Sequence, residues 1–242
     1  MNDPNRLAAG GIERLREAGI EVDTGCLAEE AIYLNPGFYA YHALQRPQTT
    51  LKWAMTLDGC TSVPNGDSKW VTSERARTEV HRRRAQQDAI LAGIDTVLAD
   101  GARLSPRNGP VPPGPPLQRI VLDSQLRLPV GAPFLEETEK FPAIAVCSED
   151  ADREREKKLV DAGATVLRLP RSEDGIGLFA LMTALHERNV QTLYVEGGRR
   201  VAGSFLQADL ADRVECWIAP KVAGGGAKHL GPTQRTHPLT KM

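Results

Sequence analysis

The 242 residues carry 30 Lys and Arg against 31 Asp and Glu, a formal charge of −1, with 41% hydrophobic and 25% charged residues. That balance excludes a disordered chain and fits one sizeable core plus an appendage, or two small domains. It also argues against a general binder of nucleic acid or anionic membranes, and leaves small phosphorylated ligands, held by local clusters such as Arg82, Arg83 and Arg84.

Cys26, Cys60, Cys147 and Cys216 stand singly, without C-x-x-C spacing or a nearby histidine ladder. This argues against a zinc site or a disulfide framework and for a reducing cytoplasm. The N-terminus begins with polar Asn2, Asp3 and Asn5 where a secretory signal would place a charged start and an apolar block, and no apolar run reaches bilayer length. The expectation is a cytoplasmic protein with no metal and no membrane or nucleic-acid partner.

Residues 1–45 predict a helix through Ile12 and Leu15, a stop at Gly19, a short strand, and a second helix over Leu27 to Leu34. This is too little to bury its own core. From Thr49 the pattern becomes one of alternating strands and helices. TTLKWAMTLDG predicts a strand running into a loop, SERARTEVHRRRAQ a helix capped by Ser73, and DAILAGIDTVLAD a buried strand that breaks at Gly93 and restarts. The proline-rich NGPVPPGPPLQ predicts a surface loop. QRIVLDS, AIAVCSE, ATVLRLP, TLYVEGG and RVECWIAPKV then predict five short strands, with REREKKLVDAG and GLFALMTALHERN as helices between them. Such alternation implies an α/β fold, a largely parallel sheet with helices on both faces and ligands beyond the carboxyl ends of the strands.

Two glycine-bearing strand exits fall at those ends, Gly93 to Thr96 and Glu196 to Gly198. In QTLYVEGGRRVAGSFLQADL an apolar run ends in an acid and two glycines before helical spacing begins. One reading is a tight strand-to-helix turn that uses glycine for its backbone freedom. The other is a phosphate cradle, in which unpaired N–H groups at a helix start meet an anion that a Cβ would block. The G-x-G-x-x-G spacing, a Walker loop, a nucleophile elbow and paired zinc ligands are all missing from the sequence.

The run from Leu51 to Arg107 contains LKWAMTLDG, SKWVT and AILAGIDTVLAD, and VEGG, AGSFL and IAPKVAGGG follow in order. Over roughly residues 46–231 the chain resembles the reductase domain of the bifunctional riboflavin-biosynthesis deaminase/reductase. The resemblance implies a dihydrofolate-reductase-like three-layer sandwich with a mostly parallel central sheet and an antiparallel edge contribution near the C-terminus. It implies hydride transfer from NADPH to the ribosyl C1′ of 5-amino-6-(5-phosphoribosylamino)uracil, and a homodimer.

In the family pattern Ala54, Trp70, Thr96 and Asp100 line the cofactor, and Ser68, Arg84, Leu104 and Arg107 face the substrate. Gly197 and Gly198 would lie against the cofactor pyrophosphate, with Glu196 towards the substrate. Lys52, Asp100 and Glu196 are the catalytic candidates. Arg84 and Arg107 can clamp a 5-phosphate, or simply belong to a solvated helix face and a loop. Trp70 offers a flat face and a donor, or plugs part of a core. Thr96 can meet a phosphate or ribose, or cap a helix. Lys52 can polarise or protonate a sugar oxygen, or be an ordinary surface lysine. Gly224, Gly225 and Gly226 line the same cleft or form a turn.

Residues 1–45 resemble the end of the family's deaminase domain through NDPN, a glycine pair, LREAGIEV and LNPGF. The His-x-Glu and Pro-Cys motifs of its zinc site are missing, so zinc and deamination would belong to a preceding part of a longer parent. Residues 46–242 would then be the reductase domain, ending before a further strand of the family pattern. Two other readings keep the fold: reduction of another pyrimidine or a pteridine, and a nucleotide-binding module without turnover.

Overall fold

The computed structural model describes residues 10–62, 71–107, 113–172, 175–224 and 228–229. In chain order its elements are α1 (Gly11–Glu17), α2 (Ala28–Leu34), α3 (Pro36–Ala43), β1 (Gln48–Thr56), β2 (Cys60–Ser62), α4 (Glu74–Arg84), β3 (Ala89–Gly93) and α5 (Ile94–Asp100). There follow β4 (Gln118–Leu122), β5 (Ala143–Ser148), α6 (Arg153–Asp161), β6 (Thr165–Leu169), β7 (Arg171–Ser172), β8 (Gly175–Ile176), α7 (Leu178–Glu187), β9 (Thr192–Val195), α8 (Arg199–Gln207), β10 (Arg213–Ala219) and β11 (Lys228–His229). They divide into two compact units, one built from the described residues up to Gln48 with Met182–Gln191, the other from Thr49–Leu181 and from Thr192 onward.

In the smaller unit α1 ends where glycine was expected to stop it. Gly19 takes φ +77°, and the N–H groups of Gly19 and Ile20 return to the carbonyls of Arg16 and Leu15 at 2.9 and 3.0 Å. That pair of bonds is a Schellman closure, which only a left-handed residue permits without strain. The short strand expected next does not form. Residues 20–25 are mostly exposed and take no regular structure, and none of the described strands pairs with them. The sequence reading also missed α3, whose Pro36 occupies the first helical turn, a position that suits its fixed φ and missing N–H. On it Tyr41 donates to Asn189 Oδ1 at 2.9 Å, and its ring lies 4.3 Å from that of His186.

The larger unit is organised by a seven-stranded sheet in the order β10-β1-β9-β3-β4-β5-β6. The pairings of β1 with β10, of β3 with β4 and β9, and of β5 with β4 and β6 are all parallel, as the alternating pattern required. Successive residues of the central strands point to opposite faces, and both faces are buried. Ile90, Leu91, Ile120, Val121, Ile144 and Ala145 are each at most 1% exposed, so each strand reads as an unbroken apolar run. Among the described residues antiparallel pairing lies off this sheet, in β11 with β2 and in β7 with β8.

One element differs in kind. After Gly93 the chain does not resume as a strand; Ile94 to Asp100 form α5, with Ile94 and Val97 buried one turn apart. The apolar residues of DTVLAD fit either period over so short a run, and the exit from the sheet at Gly93 decides for the helix.

Arg119 is the second residue of β4 and is 0% exposed. Its guanidinium donates to the carbonyls of Phe141 (2.9 and 2.6 Å), Arg103 (3.0 Å) and Glu136 (2.8 Å) and stands 5.4 Å above the Phe134 ring. Burial, first, draws its pKa down to about 10, but the charge is kept. Replacing Arg119 with Leu orphans the buried Phe141 carbonyl and the part-buried carbonyls of Arg103 and Glu136, and we expect a loss of roughly 2–3 kcal/mol, read from urea denaturation midpoints. A loss near zero would mean that water or relaxation satisfies those carbonyls.

Candidate active site

At the carboxyl ends of β1, β3 and β9 lies a cavity of about 1190 Å³, bordered by α4, α5 and the start of α8. Two glycine turns make its floor. The Gly93 N–H donates to the Gly197 carbonyl at 2.9 Å, tying the exit of β3 to that of β9. A Cβ on Gly93 would come within 2.9 Å of Val201 Cγ2, and one on Gly198 within 2.9 Å of Thr96 Oγ1. Gly197 takes φ +117°. Gly198 is the N-cap of α8, and no side chain caps that helix, so its first N–H groups have no side-chain acceptor. The sharp turn at Gly197 and the uncapped start of α8 therefore fall in one place.

Beside this floor stands a buried ionic triad. The Glu196 side chain is 6% exposed and accepts from Arg84 twice, from Nε and, at 2.6 Å, from Nη2; Lys52 Nζ lies 3.5 Å from its Oε2. Burial alone would push the Glu196 carboxyl up, but the charges of Arg84 and then Lys52 outweigh it and hold the pKa at about 2. Burial also opposes the charge on Arg84, yet Glu196 overcomes it and raises its pKa. The triad carries a net charge of one positive unit.

The arginine run of α4 does not act as one cluster. Successive helix positions are turned by about 100°, and the three arginines reach three carboxylates, with Arg83 sharing Glu79 with Arg82 at 3.3 Å. Arg82 pairs with Glu79 at 2.6 Å, and Arg83 pairs with Glu215 at 2.6 Å. Tyr194 also donates to Glu215, at 2.8 Å. Among the three, Arg84 lines the cavity.

Of the residues singled out in the sequence, Lys52, Ala54, Arg84, Thr96, Asp100, Leu104, Glu196, Gly197 and Gly198 all border this cavity. Leu104 is 3% exposed, with φ +55°, and follows the Arg103 carbonyl that Arg119 holds. Thr96 is the third residue of α5, whose N-cap is Gly93, so its capping alternative does not apply. Arg107 is exposed and is not among the lining residues, though its charge reaches His81. Ser68 and Trp70 fall outside the described residues, as do Gly225 and Gly226. Gly224 donates to Asp58 at 2.9 Å and does not line the cavity.

The sequence reading overlooked His81 and Trp217, which also line the cavity. His81 was legible, since it precedes Arg84 by three residues on one helix and so shares its face. Among the described residues no three His, Cys, Asp or Glu come together as a metal site, and no described helix is long and apolar enough to cross a membrane.

An open parallel sheet with a large cleft at its carboxyl edge, two glycine turns and a buried ion triad defines an α/β protein with a candidate active site at the usual place for such sheets. The chain belongs to the RibD C-terminal domain family, whose model matches residues 47–240. It is 41% identical over 225 residues to the riboflavin biosynthesis protein RibD of Aquifex aeolicus, a match covering 93% of this chain and 61% of that protein. A solved structure of Acinetobacter baumannii RibD matches with a TM-score of 0.78 and 30% identity, over 100% of this chain and 65% of that one. The crystal structure of a Thermotoga maritima diaminohydroxyphosphoribosylaminopyrimidine deaminase/5-amino-6-(5-phosphoribosylamino)uracil reductase matches with a TM-score of 0.73 and 31% identity, over 98% and 62%. The fold is thus the dihydrofolate-reductase-like α/β sandwich that the motifs implied. The chain spans about three fifths of the length of the curated relatives it matches.

Proposed function

We propose that this chain reduces 5-amino-6-(5-phosphoribosylamino)uracil, using NADPH to open the ribose to a ribityl chain in riboflavin biosynthesis. The observation that carries this reading is the Lys52–Glu196–Arg84 triad beside the Gly197–Gly198 cradle in one cavity. Residues 1–45 are read as the tail of a preceding deaminase domain, and four free cysteines fit a reducing cytoplasm.

The cavity suits a dinucleotide next to a second ligand. Its volume exceeds the few hundred Å³ that one small ligand fills, and the space beside the Gly197 backbone is open, with nothing within 4 Å of where a Cβ would stand. Gly197, Gly198 and the start of α8 would hold the pyrophosphate, with Ala54, Thr96 and Asp100 along the rest of the cofactor; when bound, it supplies a hydride. Asp100 and Glu196, as carboxylates, suit ribose hydroxyls or amino groups better than phosphate.

The protein's own groups account for the remaining chemistry. Reduction at C1′ breaks the bond to the ring oxygen, which must gain a proton. Lys52 is a cavity-lining amine and is held by Glu196, so the ammonium is aimed rather than free to swing. Arg84 uses Nε and Nη2 on Glu196, leaving Nη1 for a substrate oxygen, and exposed Arg107 adds charge for the 5-phosphate. Leu104 supplies an apolar wall.

The test follows NADPH absorbance with the phosphoribosylaminouracil, with dihydrofolate, and with NADH in place of NADPH. Turnover with the first pair alone supports the reading. Oxidation with dihydrofolate shifts the substrate class, and cofactor binding without any turnover favours a binding module. We also expect Gly198→Ala to weaken NADPH binding by about 10- to 100-fold by calorimetry, since the backbone there has φ −84° and tolerates alanine, but the added Cβ presses on Thr96, a proposed cofactor contact. Unchanged affinity would place the pyrophosphate elsewhere.

A further inference from the structure

The cavity contains a titratable side chain that the reaction just described leaves unused. His81 lies one helical turn before Arg84 on α4, and both border the cavity. Its Nδ1 is buried and has no hydrogen-bond partner. Nε2 is not among the buried unpartnered atoms, and no described group bonds to it, so it is the ring edge open to the cavity.

The charged groups that act on the ring come from every side. Arg84 belongs to α4 itself, Arg107 to the segment after α5, Lys52 to β1, and Glu196 to the end of β9. Three cations thus face it against one carboxylate. Burial first, and then Arg84 and Arg107, draw its pKa down to about 4, so the ring is neutral near pH 7. Nδ1 has no acceptor for a proton, so the tautomer with the proton on Nε2 leaves no buried N–H unpaired and turns a donor to the cavity. A donor in that position gains most when a ligand oxygen meets it.

We propose that His81 is a further substrate-contacting residue, whose Nε2–H donates to an oxygen of the phosphorylated sugar held beside Arg84 and Arg107. The proposal rests on the sugar-phosphate reading of the cavity given above. It has a consequence for protons: a dianionic phosphate cancels the surplus positive charge that keeps the ring neutral, so the ring holds a proton more readily in the complex. Between its free and bound pKa values the ring takes up a proton on binding. The phosphate ester's own second ionisation, at about 6, moves the opposite way beside cations, which is why the ring itself must be watched.

The probe is ribose 5-phosphate, added to the full chain in the presence of NADPH. The His81 ring signal in a proton NMR titration is assigned by its loss in His81→Asn. Its midpoint should rise by about one unit or more when the sugar phosphate is saturating. By calorimetry at neutral pH, His81→Gln, whose amide nitrogen can occupy the place of Nε2, should stay within about twofold of the parent affinity, whereas His81→Asn should lose about tenfold. Full affinity in both variants overturns the proposal, and so does an equal loss in both with an unmoved midpoint, which would mark a merely structural histidine. Those results leave the sugar-phosphate reading standing. Failure of ribose 5-phosphate to bind the parent protein brings down both, while unchanged NADPH affinity in each variant confirms that the cavity is intact.

Discussion

Glu196→Gln should lower kcat/KM for reduction by about 10²- to 10³-fold while changing the affinity for NADPH by less than about twofold. The substitution keeps the shape of the side chain and removes its charge. Arg84 and Lys52, 14% and 15% exposed, are then left as two buried cations without a counter-ion. They repel one another, and neither is held at the reacting centre. Breaking such a pair costs roughly 3–5 kcal/mol of stability, so a lowered thermal midpoint should accompany the kinetic loss.

The same carboxylate gives the protein an acid-sensitive component. In the folded state its pKa is about 2 against an ordinary 4.5, so the unfolded chain takes up the proton first as pH falls. The stabilisation, roughly 3 kcal/mol from the difference, is complete above about pH 4.5 and is lost as pH drops through about 2. Urea midpoints of the parent should therefore fall across that window more steeply than those of Glu196→Gln. Parallel profiles would show that the triad contributes little to folding.

Lys52→Met should lower kcat by about 10²- to 10⁴-fold, the range set by the loss of a positioned proton donor. Methionine preserves the length of the stem, and Glu196 keeps its two contacts with Arg84, so fold and cofactor affinity should survive. The separation between the two variants is informative. Glu196→Gln disturbs both stability and chemistry, whereas Lys52→Met should disturb chemistry alone. Full activity in Lys52→Met would assign the proton to bound water.

How much of this was written legibly in the chain depends on the range of the interaction. The sheet was readable because strands buried on both faces, such as Ala143–Ser148, must be continuous apolar runs. The strand-to-helix turn at Glu196 was readable because an acid and two glycines interrupt a strand just before helical spacing begins. The segment after Gly93 misled, since six residues hold too few turns to separate the two periods. Arg119 went unnoticed inside an apolar strand, because its three carbonyl partners come from loops that only the fold brings to it. The triad was half legible: its members were nameable one by one, but the pairing of Lys52, Arg84 and Glu196 exists only once the middle of β1 meets the ends of α4 and β9. The run Arg82 to Arg84 looked like one basic cluster until helix geometry pointed its members at three carboxylates.

The proposed reaction requires one cavity to bring a reduced nicotinamide against a ribosyl carbon. A single turnover with NADPH carrying deuterium at the transferable position, and 5-amino-6-(5-phosphoribosylamino)uracil, measures this by mass spectrometry of the product. The label should appear once, on C1′ of the ribityl chain, at wild-type rate in this chain and far more slowly in Lys52→Met. Oxidation that leaves the product unlabelled, or label that arrives from solvent, would contradict direct transfer and the site built on it.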